Sequence, residues 1–126
     1  MNLPEDLKYN KEHQWARIDG DIAYVGITDF AQNQLGDIVY VDVEKVDETV
    51  AKDEEFGSIE AVKTVSDIFM PLSGEIIELN EKLEDDPELI NTDPYNEGWI
   101  IKVKFSDITE QDTLLTAAKY KNLIEG

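Results

Sequence analysis

Cysteine is absent from the 126-residue sequence, and histidine occurs only once, as His13. The first absence excludes disulfides, thiolate metal sites and cysteine nucleophiles. The second excludes a histidine-rich metal site and makes any Ser-His-Asp arrangement depend on one residue, which we interpret as a surface or packing histidine. We therefore predict no metal site and no catalytic residues.

Cations are scarce: 11 Lys and Arg residues face 29 Asp and Glu residues, for a formal charge of −18. So negative a surface repels phosphate backbones, which argues against a nucleic-acid partner. Two interpretations remain open. The acidic surface keeps the chain soluble and monomeric, or it complements basic patches on partner proteins. In both cases we expect a monomer.

Long apolar runs are also missing, since no stretch approaches the roughly 20 residues that cross a bilayer. The first ten residues lack a basic start followed by an apolar stretch, so we expect no secretory signal and no membrane association. We predict a cytoplasmic protein, or one of the mitochondrial matrix if the source is eukaryotic. The even composition and 41% hydrophobic content predict one globular domain over residues 1–126.

Short segments rich in β-branched residues alternate with turn signals along the chain. Asp-Gly at Gly20 predicts a hairpin, and Thr28 and Gly36 bound a short helix as cap and stop. Residues 85–89 predict a helical turn. Leu114, Leu115, Ala118, Leu123 and Ile124 predict an amphipathic helix over residues 114–124 that packs on the sheet. The predicted strands cover residues 15–18, 22–25, 38–43, 56–62, 64–70, 75–79 and 99–105. About six or seven strands predict a mainly β sandwich or barrel with helices as additions.

Lys63 lies between two of these strands and is the only cation from Asp53 to Lys82. Its nearest charged neighbours, Glu60 and Asp67, are both acidic. We expect a lysine in this position to lie at a hairpin tip, with an accessible amine in a fixed backbone frame. An enzyme that modifies a single lysine requires such a presentation, although most lysines are simply solvated surface residues.

The stretch around Lys63, residues 57–75, reads GSIEAVKTVSDIFMPLSGE. It resembles the lipoylation hairpin of the glycine cleavage system H protein family, and Lys63 matches the lipoylated lysine of that family. Biotin carriers use a similar hairpin, usually with methionines beside the lysine, and Val62 and Thr64 lack them. Further blocks resemble the family in the same order: residues 25–32, 35–41, 87–91, 94–95, 98–105 and a C-terminal helix containing Leu114, Leu115 and Tyr120.

The resemblance implies a barrel-sandwich hybrid of the lipoyl and biotinyl type, with a short helix in the N-terminal half and a C-terminal helix. It implies a carrier, not an enzyme, that holds lipoate covalently on Lys63 and shuttles the aminomethyl group of glycine. The implied partners are glycine decarboxylase (P protein), the aminomethyltransferase (T protein), dihydrolipoamide dehydrogenase (L protein), which reoxidises the arm, and a lipoyl ligase or transferase. An H-like lipoate relay or carrier for other lipoyl-dependent complexes is the alternative. Two other classes of function are a stand-alone enzyme and a structural or interaction module that is never modified.

In the family, the loaded arm docks near a His-Glu-Trp segment and near the Ser-Asp pair that follows the lysine. This chain has His13-Gln14-Trp15, so glutamine replaces the usual glutamate, and Asp67 matches the family aspartate. We hypothesise that Asp67 and Glu12 hold the cargo's amine; for Asp67, a turn or strand-end role is the competing interpretation. Glu60, Asp67 and Glu12 are thus the candidate cofactor-binding residues beside Lys63.

Overall fold

A computed structural model describes residues 2–125, in which nine strands form two antiparallel sheets. The first contains six strands in the order β1-β2-β3-β9-β8-β5, and the second three in the order β4-β6-β7. The strands are β1 (Lys8–Tyr9), β2 (Gln14–Asp19), β3 (Ile22–Ile27), β4 (Ile38–Asp42), β5 (Thr49–Val50), β6 (Glu55–Ala61), β7 (Val65–Phe69), β8 (Gly74–Leu79) and β9 (Ile101–Phe105). The mainly β prediction is confirmed, with more strands than the six or seven expected.

Local signals explain the first half of the chain. Gly20 has a φ of 65°, which lets the two-residue turn join β2 to β3 as predicted. Helix α1 (Asp29–Leu35) begins where the Thr28 side chain accepts a hydrogen bond from the Ala31 backbone N–H, at 3.2 Å. It ends at Gly36, whose φ is 78°. Thr28 and Gly36 thereby set the length of α1, which forms one wall of the site described below.

The main core lies between the two sheets, where alternate strand residues point inward. It is built from aliphatic side chains with Phe56 and Met70, all nearly or fully buried. The largest contributors are Ile27, Ile59, Ile68, Ile76, Ile90 and Ile100. Burying one such side chain contributes roughly 1.5–3 kcal/mol relative to leaving it exposed. This packing makes the three-stranded sheet a rigid support for its β6–β7 hairpin.

A second, aromatic cluster lies under the C-terminal helix α4 (Ala117–Glu125). Trp15, Tyr9 and Tyr120 are fully buried, and the rings of Tyr9 and Tyr120 stack with centroids 4.8 Å apart. The Trp15 indole N–H donates to the Pro94 carbonyl at 3.1 Å. Helix α4 is therefore attached to the start of β2, which carries the His13-Gln14-Trp15 segment.

The structure corrects the prediction for the C-terminal region. Leu114 and Leu115 precede α4 instead of belonging to it, and Leu115 pairs with Tyr9 in an isolated antiparallel bridge. A 3₁₀ helix (Ile108–Thr113) comes before them. The buried face of α4 is formed by Ala117 and Tyr120. The prediction that Leu123 packs on the sheet is wrong, because its side chain is exposed.

Two short helices replace the single helical turn predicted near Pro87. Helix α2 (Lys82–Asp85) ends before the proline, and helix α3 (Leu89–Thr92) begins after it. Pro87 lies in the link because its ring cannot donate the hydrogen bond that a continuous helix needs. Strand β9 begins two residues later than predicted. Among residues 2–125, the structure contains no helix that is long and apolar enough to cross a membrane.

Candidate functional site

The β6–β7 hairpin presents Lys63 at a tight tip. The Ala61 N–H donates to the Thr64 carbonyl at 2.8 Å, leaving only Val62 and Lys63 between the paired ends. The Val62 N–H donates to the Asp37 carbonyl at 2.9 Å, which ties the tip to the chain that enters β4. The backbone around Lys63 is therefore restrained both by the hairpin's own hydrogen bond and by the bond to Asp37. An exposed loop of the same length without such bonds would be more mobile.

The Lys63 side chain is exposed and extends over Gly36. A Cβ atom at Gly36 would lie 3.5 Å from Lys63 Cε, an ordinary contact distance, so the lysine stem passes close to the residue that ends α1. Across residues 2–125, the Lys63 ammonium forms no ion pair. The three ion pairs of the described structure involve Lys52, Lys82 and Lys102. The predicted presentation, an accessible amine in a preset frame, is what the structure shows.

A cavity of about 270 Å³ opens beside this hairpin. It lies between the start of β2, helix α1 and strand β7. Its walls combine five polar or charged residues, Glu12, His13, Gln14, Gln34 and Ser66, with five apolar ones, Ile27, Phe30, Ala31, Leu35 and Ile68. Ser66 is only three residues from Lys63, so the cavity is next to the tip. A lining of this mixed kind suits a ligand that has an apolar body and a polar end.

Gln14 supplies an unpaired acceptor in the cavity wall. Its side chain is 2% exposed, and its Nε2 donates to the Glu12 carbonyl at 3.0 Å. Its Oε1 is buried without a hydrogen-bond partner within the described part of the chain. The backbone is fixed here because the Asn10 side chain accepts from the Gln14 N–H at 2.8 Å and because His13 has a left-handed φ of 75°. A buried unpaired carbonyl is unfavourable until a donor reaches it.

His13 connects the cavity to helix α4. Its Nδ1 lies 2.8 Å from the Tyr120 hydroxyl, and its ring packs on Phe30 with centroids 5.0 Å apart. Burial lowers the pKa of His13, while nearby Glu12 acts in the opposite direction. The residue is thus a packing histidine, as interpreted, but its link to Tyr120 was not predicted. No local signal could reveal a contact between residues 107 positions apart.

The structure separates the candidate cofactor-binding residues. Glu12 lines the cavity, whereas Asp67 lines a different, smaller depression with Asp42. Side chains alternate along a strand, so Ser66 faces the cavity and Asp67 the opposite side. Glu60 is exposed and pairs across the sheet with Val65. The hypothesis that Asp67 and Glu12 surround one amine lacks support from this geometry; a separate role for Asp67 stays a prediction.

The side of the hairpin opposite the cavity carries exposed apolar side chains. Tyr40, Glu60 and Val65 form one row across β4, β6 and β7, so they share a face. Val62 at the tip is 75% exposed. We name the exposed apolar residues Val39, Tyr40, Val62 and Val65 the tip patch. Clustered exposed apolar residues are typical of interaction sites.

Metal-ligating residues do not assemble in the described structure. Within residues 2–125, no three His, Cys, Asp or Glu side chains form a group that could hold a metal ion. The acidic residues are dispersed over the surface. What the site offers is therefore an exposed amine, a sheltered cavity and an apolar patch.

Comparisons with known proteins extend over almost the whole chain. A family model described as "Glycine cleavage H-protein" matches residues 7–126. The glycine cleavage system H protein of Bacteroides thetaiotaomicron is 59% identical over 126 residues, which is 100% of both chains. That of Staphylococcus carnosus is 48% identical over 124 residues, 98% of each chain. The crystal structure of a glycine cleavage system H protein from Mycobacterium marinum superposes with a TM-score of 0.88 at 41% identity, covering 98% of this chain and 99% of that one. This superposition confirms the predicted barrel-sandwich architecture.

Proposed function

The chain belongs to the glycine cleavage H-protein family, and we propose that it is the lipoyl carrier of a glycine cleavage system, with the arm attached to Lys63. As a single domain over residues 1–126, it takes the aminomethyl group of glycine from the P protein to the T protein in the cytoplasm. The L protein then reoxidises the arm. The observation that carries this proposal is the exposed, unpaired Lys63 beside a sheltered cavity.

The residues of the site fit a lipoyl arm. Lys63 can form the amide bond because its amine is accessible, and the hydrogen bonds at Ala61 and Val62 hold the tip in place for the attaching enzyme. When bound, the lipoyl group supplies the redox chemistry and the sulfur that carries the cargo. The protein supplies placement and shelter. Intact mass, and bicarbonate exchange by purified glycine decarboxylase, test the proposal with wild type and Lys63→Arg side by side.

The cavity is suited to shelter the cargo's amine from water. Apolar side chains such as Phe30, Leu35 and Ile68 form half of its wall, and an arm docked against them would displace water from that side. Gln14 Oε1 is the unpaired acceptor, and the Glu12 carboxylate lies at the same wall. We propose that these two oxygens hold the amine. An amide and a carboxylate can together accept the hydrogens of an ammonium group.

Gln14→Leu tests this role. We expect the loaded carrier to lose its cargo about two- to tenfold faster, because one neutral hydrogen bond contributes about 0.5–1.5 kcal/mol. The free energy of unfolding of the unloaded protein should fall by no more than about 1 kcal/mol, because the substitution removes an unpaired acceptor together with the Nε2 hydrogen bond to the Glu12 carbonyl. Release of ammonia and one-carbon product from the loaded carrier, with urea unfolding of the unloaded one, measures both quantities.

Asp67→Asn and Glu12→Gln form the matched comparison. Each removes one exposed carboxylate, but only Glu12 lines the cavity. We expect Glu12→Gln to shorten the cargo lifetime and Asp67→Asn to leave it unchanged. A shorter lifetime in Asp67→Asn, together with no change in Gln14→Leu, would contradict the proposed holding pair and restore the role predicted for Asp67.

The tip patch supports contact with the lipoyl ligase or transferase. During attachment, the Lys63 amine itself must enter an active site, so the side chains around it are covered by the enzyme. Enzymes that act on the end of a loaded arm work farther from the hairpin. The acidic residues Asp42, Glu60 and Asp67 lie on the same face of the sheet, so the partner surface is expected to be apolar with a basic rim.

The double variant Tyr40→Ala and Val65→Ala should slow lipoyl attachment by about tenfold or more, since two well-placed interface side chains commonly contribute more than 1 kcal/mol each. Stability should change little because both side chains are exposed. The rate is measured with purified ligase by the appearance of the lipoylated mass. Ile77→Ala is the control, because Ile77 is also exposed but lies in β8 of the other sheet. Equal rates of lipoyl attachment for the double variant and for Ile77→Ala would exclude a role of the tip patch in binding the attaching enzyme.

A further inference from the structure

Two buried hydroxyl groups, those of Thr28 and Tyr120, and the partly buried His13 form a continuous hydrogen-bonded chain to the cavity. The Tyr120 hydroxyl oxygen lies 2.7 Å from Thr28 Oγ1 and 2.8 Å from His13 Nδ1. Thr28 and Tyr120 are 0% exposed. Solvent therefore cannot satisfy their hydroxyl groups, and each hydrogen must find its acceptor inside the protein.

The direction of these hydrogen bonds follows from Thr28. Its Oγ1 accepts from the Ala31 N–H at 3.2 Å, and the hydroxyl hydrogen has one acceptor among residues 2–125, the Tyr120 oxygen. With that bond made, the Tyr120 hydrogen points to His13 Nδ1. The reverse direction would leave the buried Thr28 hydroxyl hydrogen without an acceptor. His13 Nδ1 is therefore an acceptor, and the ring proton resides on Nε2.

The surroundings of His13 favour the same neutral state. Burial lowers its pKa, the Glu12 carboxylate opposes this more weakly, and the Tyr120 phenol is kept protonated because burial raises its pKa to about 12. Packing on Phe30 and the left-handed backbone of His13 fix where the ring lies. At neutral pH the imidazole is thus uncharged and held in one orientation.

The opposite edge of the ring is not fully buried. His13 lines the cavity, and its Nε2 has no protein hydrogen bond in the described chain; it is also not among the buried unpaired atoms, which are Asn10 Nδ2 and Gln14 Oε1. The Nε2–H is therefore an available donor. Its neighbour Gln14 also lines the cavity and carries the buried, unpaired Oε1 acceptor.

From this geometry we propose that the Thr28–Tyr120–His13 chain fixes His13 as the Nε2–H tautomer, and that this N–H donates to a sulfur of the docked arm. The inference rests on the proposed function, since the arm supplies the sulfur. The cavity then provides complementary groups side by side: oxygens at Gln14 and Glu12 for the cargo's amine, and an N–H at His13 for the sulfur beside it. His13 is a specificity-determining residue, and Tyr120 is its positioning residue.

The single histidine makes the test direct, because ¹⁵N-histidine labelling of the whole chain gives one imidazole. Its two ring nitrogen shifts distinguish the Nε2–H tautomer, the Nδ1–H tautomer and imidazolium. In the lipoylated wild type at pH 7 we expect Nε2–H, with the Nε2 resonance moving when the cargo is loaded. An Nδ1–H tautomer or an imidazolium would overturn the proposal.

Tyr120→Phe should give a mixture of the two neutral tautomers of His13. It should also shorten the cargo lifetime about two- to tenfold, the effect of one lost hydrogen bond. Tyr95→Phe is the matched control. It also removes a buried tyrosine hydroxyl, which bonds to the Asp29 N–H and the Asn2 carbonyl, but it leaves His13 untouched. Identical His13 spectra in both variants would contradict the role of Tyr120.

The lipoyl mass and the His13 nitrogen shifts distinguish a failure of this inference from a failure of the proposed function. A native chain without a lipoyl mass refutes the carrier function, while its tautomer can still be measured. A carrier that is lipoylated and loaded but shows no change at Nε2 refutes the contact with the arm and leaves the function standing.

Discussion

Lys63→Arg should abolish lipoyl attachment completely while the fold remains intact. Arginine keeps the charge and the length of the side chain, but its guanidinium does not form the amide that a lysine amine forms. The Lys63 side chain is exposed and has no ion pair in the described structure, so the free energy of unfolding should change by less than about 0.5 kcal/mol. Intact mass of protein made in a lipoylation-competent host shows the loss, and bicarbonate exchange by glycine decarboxylase should fall to the rate without carrier.

Lys104→Arg is the control, because Lys104 is an exposed lysine in a paired strand of the other sheet. It should keep the lipoyl mass and the exchange activity. Wild-type protein from the same host without any mass addition would exclude a lipoyl carrier. A lipoylated wild type that supports no bicarbonate exchange would exclude glycine cleavage and favour the lipoate relay, an alternative that the glutamine at position 14 keeps open.

Trp15→Ala should lower the free energy of unfolding by about 3–5 kcal/mol, the usual cost of truncating a fully buried aromatic residue. The indole is 0% exposed and packs directly on Gly26, where a Cβ would lie 2.8 Å from the ring. Its removal leaves a cavity under α4 and an unpaired Pro94 carbonyl. Small domains are stable by only about 5–15 kcal/mol, so this loss is large. Urea unfolding followed by circular dichroism measures it.

Trp15→Phe serves as the graded comparison. It keeps most of the apolar volume and loses the bond to Pro94, so we expect a cost of about 1–2 kcal/mol. Trp99→Ala is the positional control, because Trp99 is only half-buried and lies against Tyr24. If Trp15→Ala cost no more than Trp99→Ala, the aromatic cluster would not hold α4 on β2.

Features encoded within a few residues were predictable. Gly20 permits a left-handed turn, Thr28 and Gly36 bound a helix, and Lys63 lies at the tip of a hairpin because strand-forming residues flank it on both sides. In each case the deciding interaction joins neighbours in sequence. The structure agrees with these predictions because no tertiary contact opposes them.

Features that depend on distant contacts were not predictable. Leu115 was assigned to a helix, but its backbone pairs with Tyr9 at the edge of the first sheet. The contact of His13 with Tyr120 depends on how α4 lies against β2, which no local pattern specifies. The family motifs group Asp67 with Glu12, whereas strand alternation assigns Ser66 and Asp67 to opposite faces, so a joint role for Asp67 and Glu12 stays a prediction.

That alternation restricts which changes of length the hairpin can tolerate. The side chains of strand β7 alternate between the cavity and the outer face of the sheet, so each residue lies on one of these two sides only. Inserting a single residue between Lys63 and Ser66 would exchange the two sets, turning Ser66 and Ile68 outward and the side chain of Asp67 into the apolar cavity. Substitutions can therefore alter storage of the cargo and recognition of partners independently, whereas a one-residue insertion would disrupt both together.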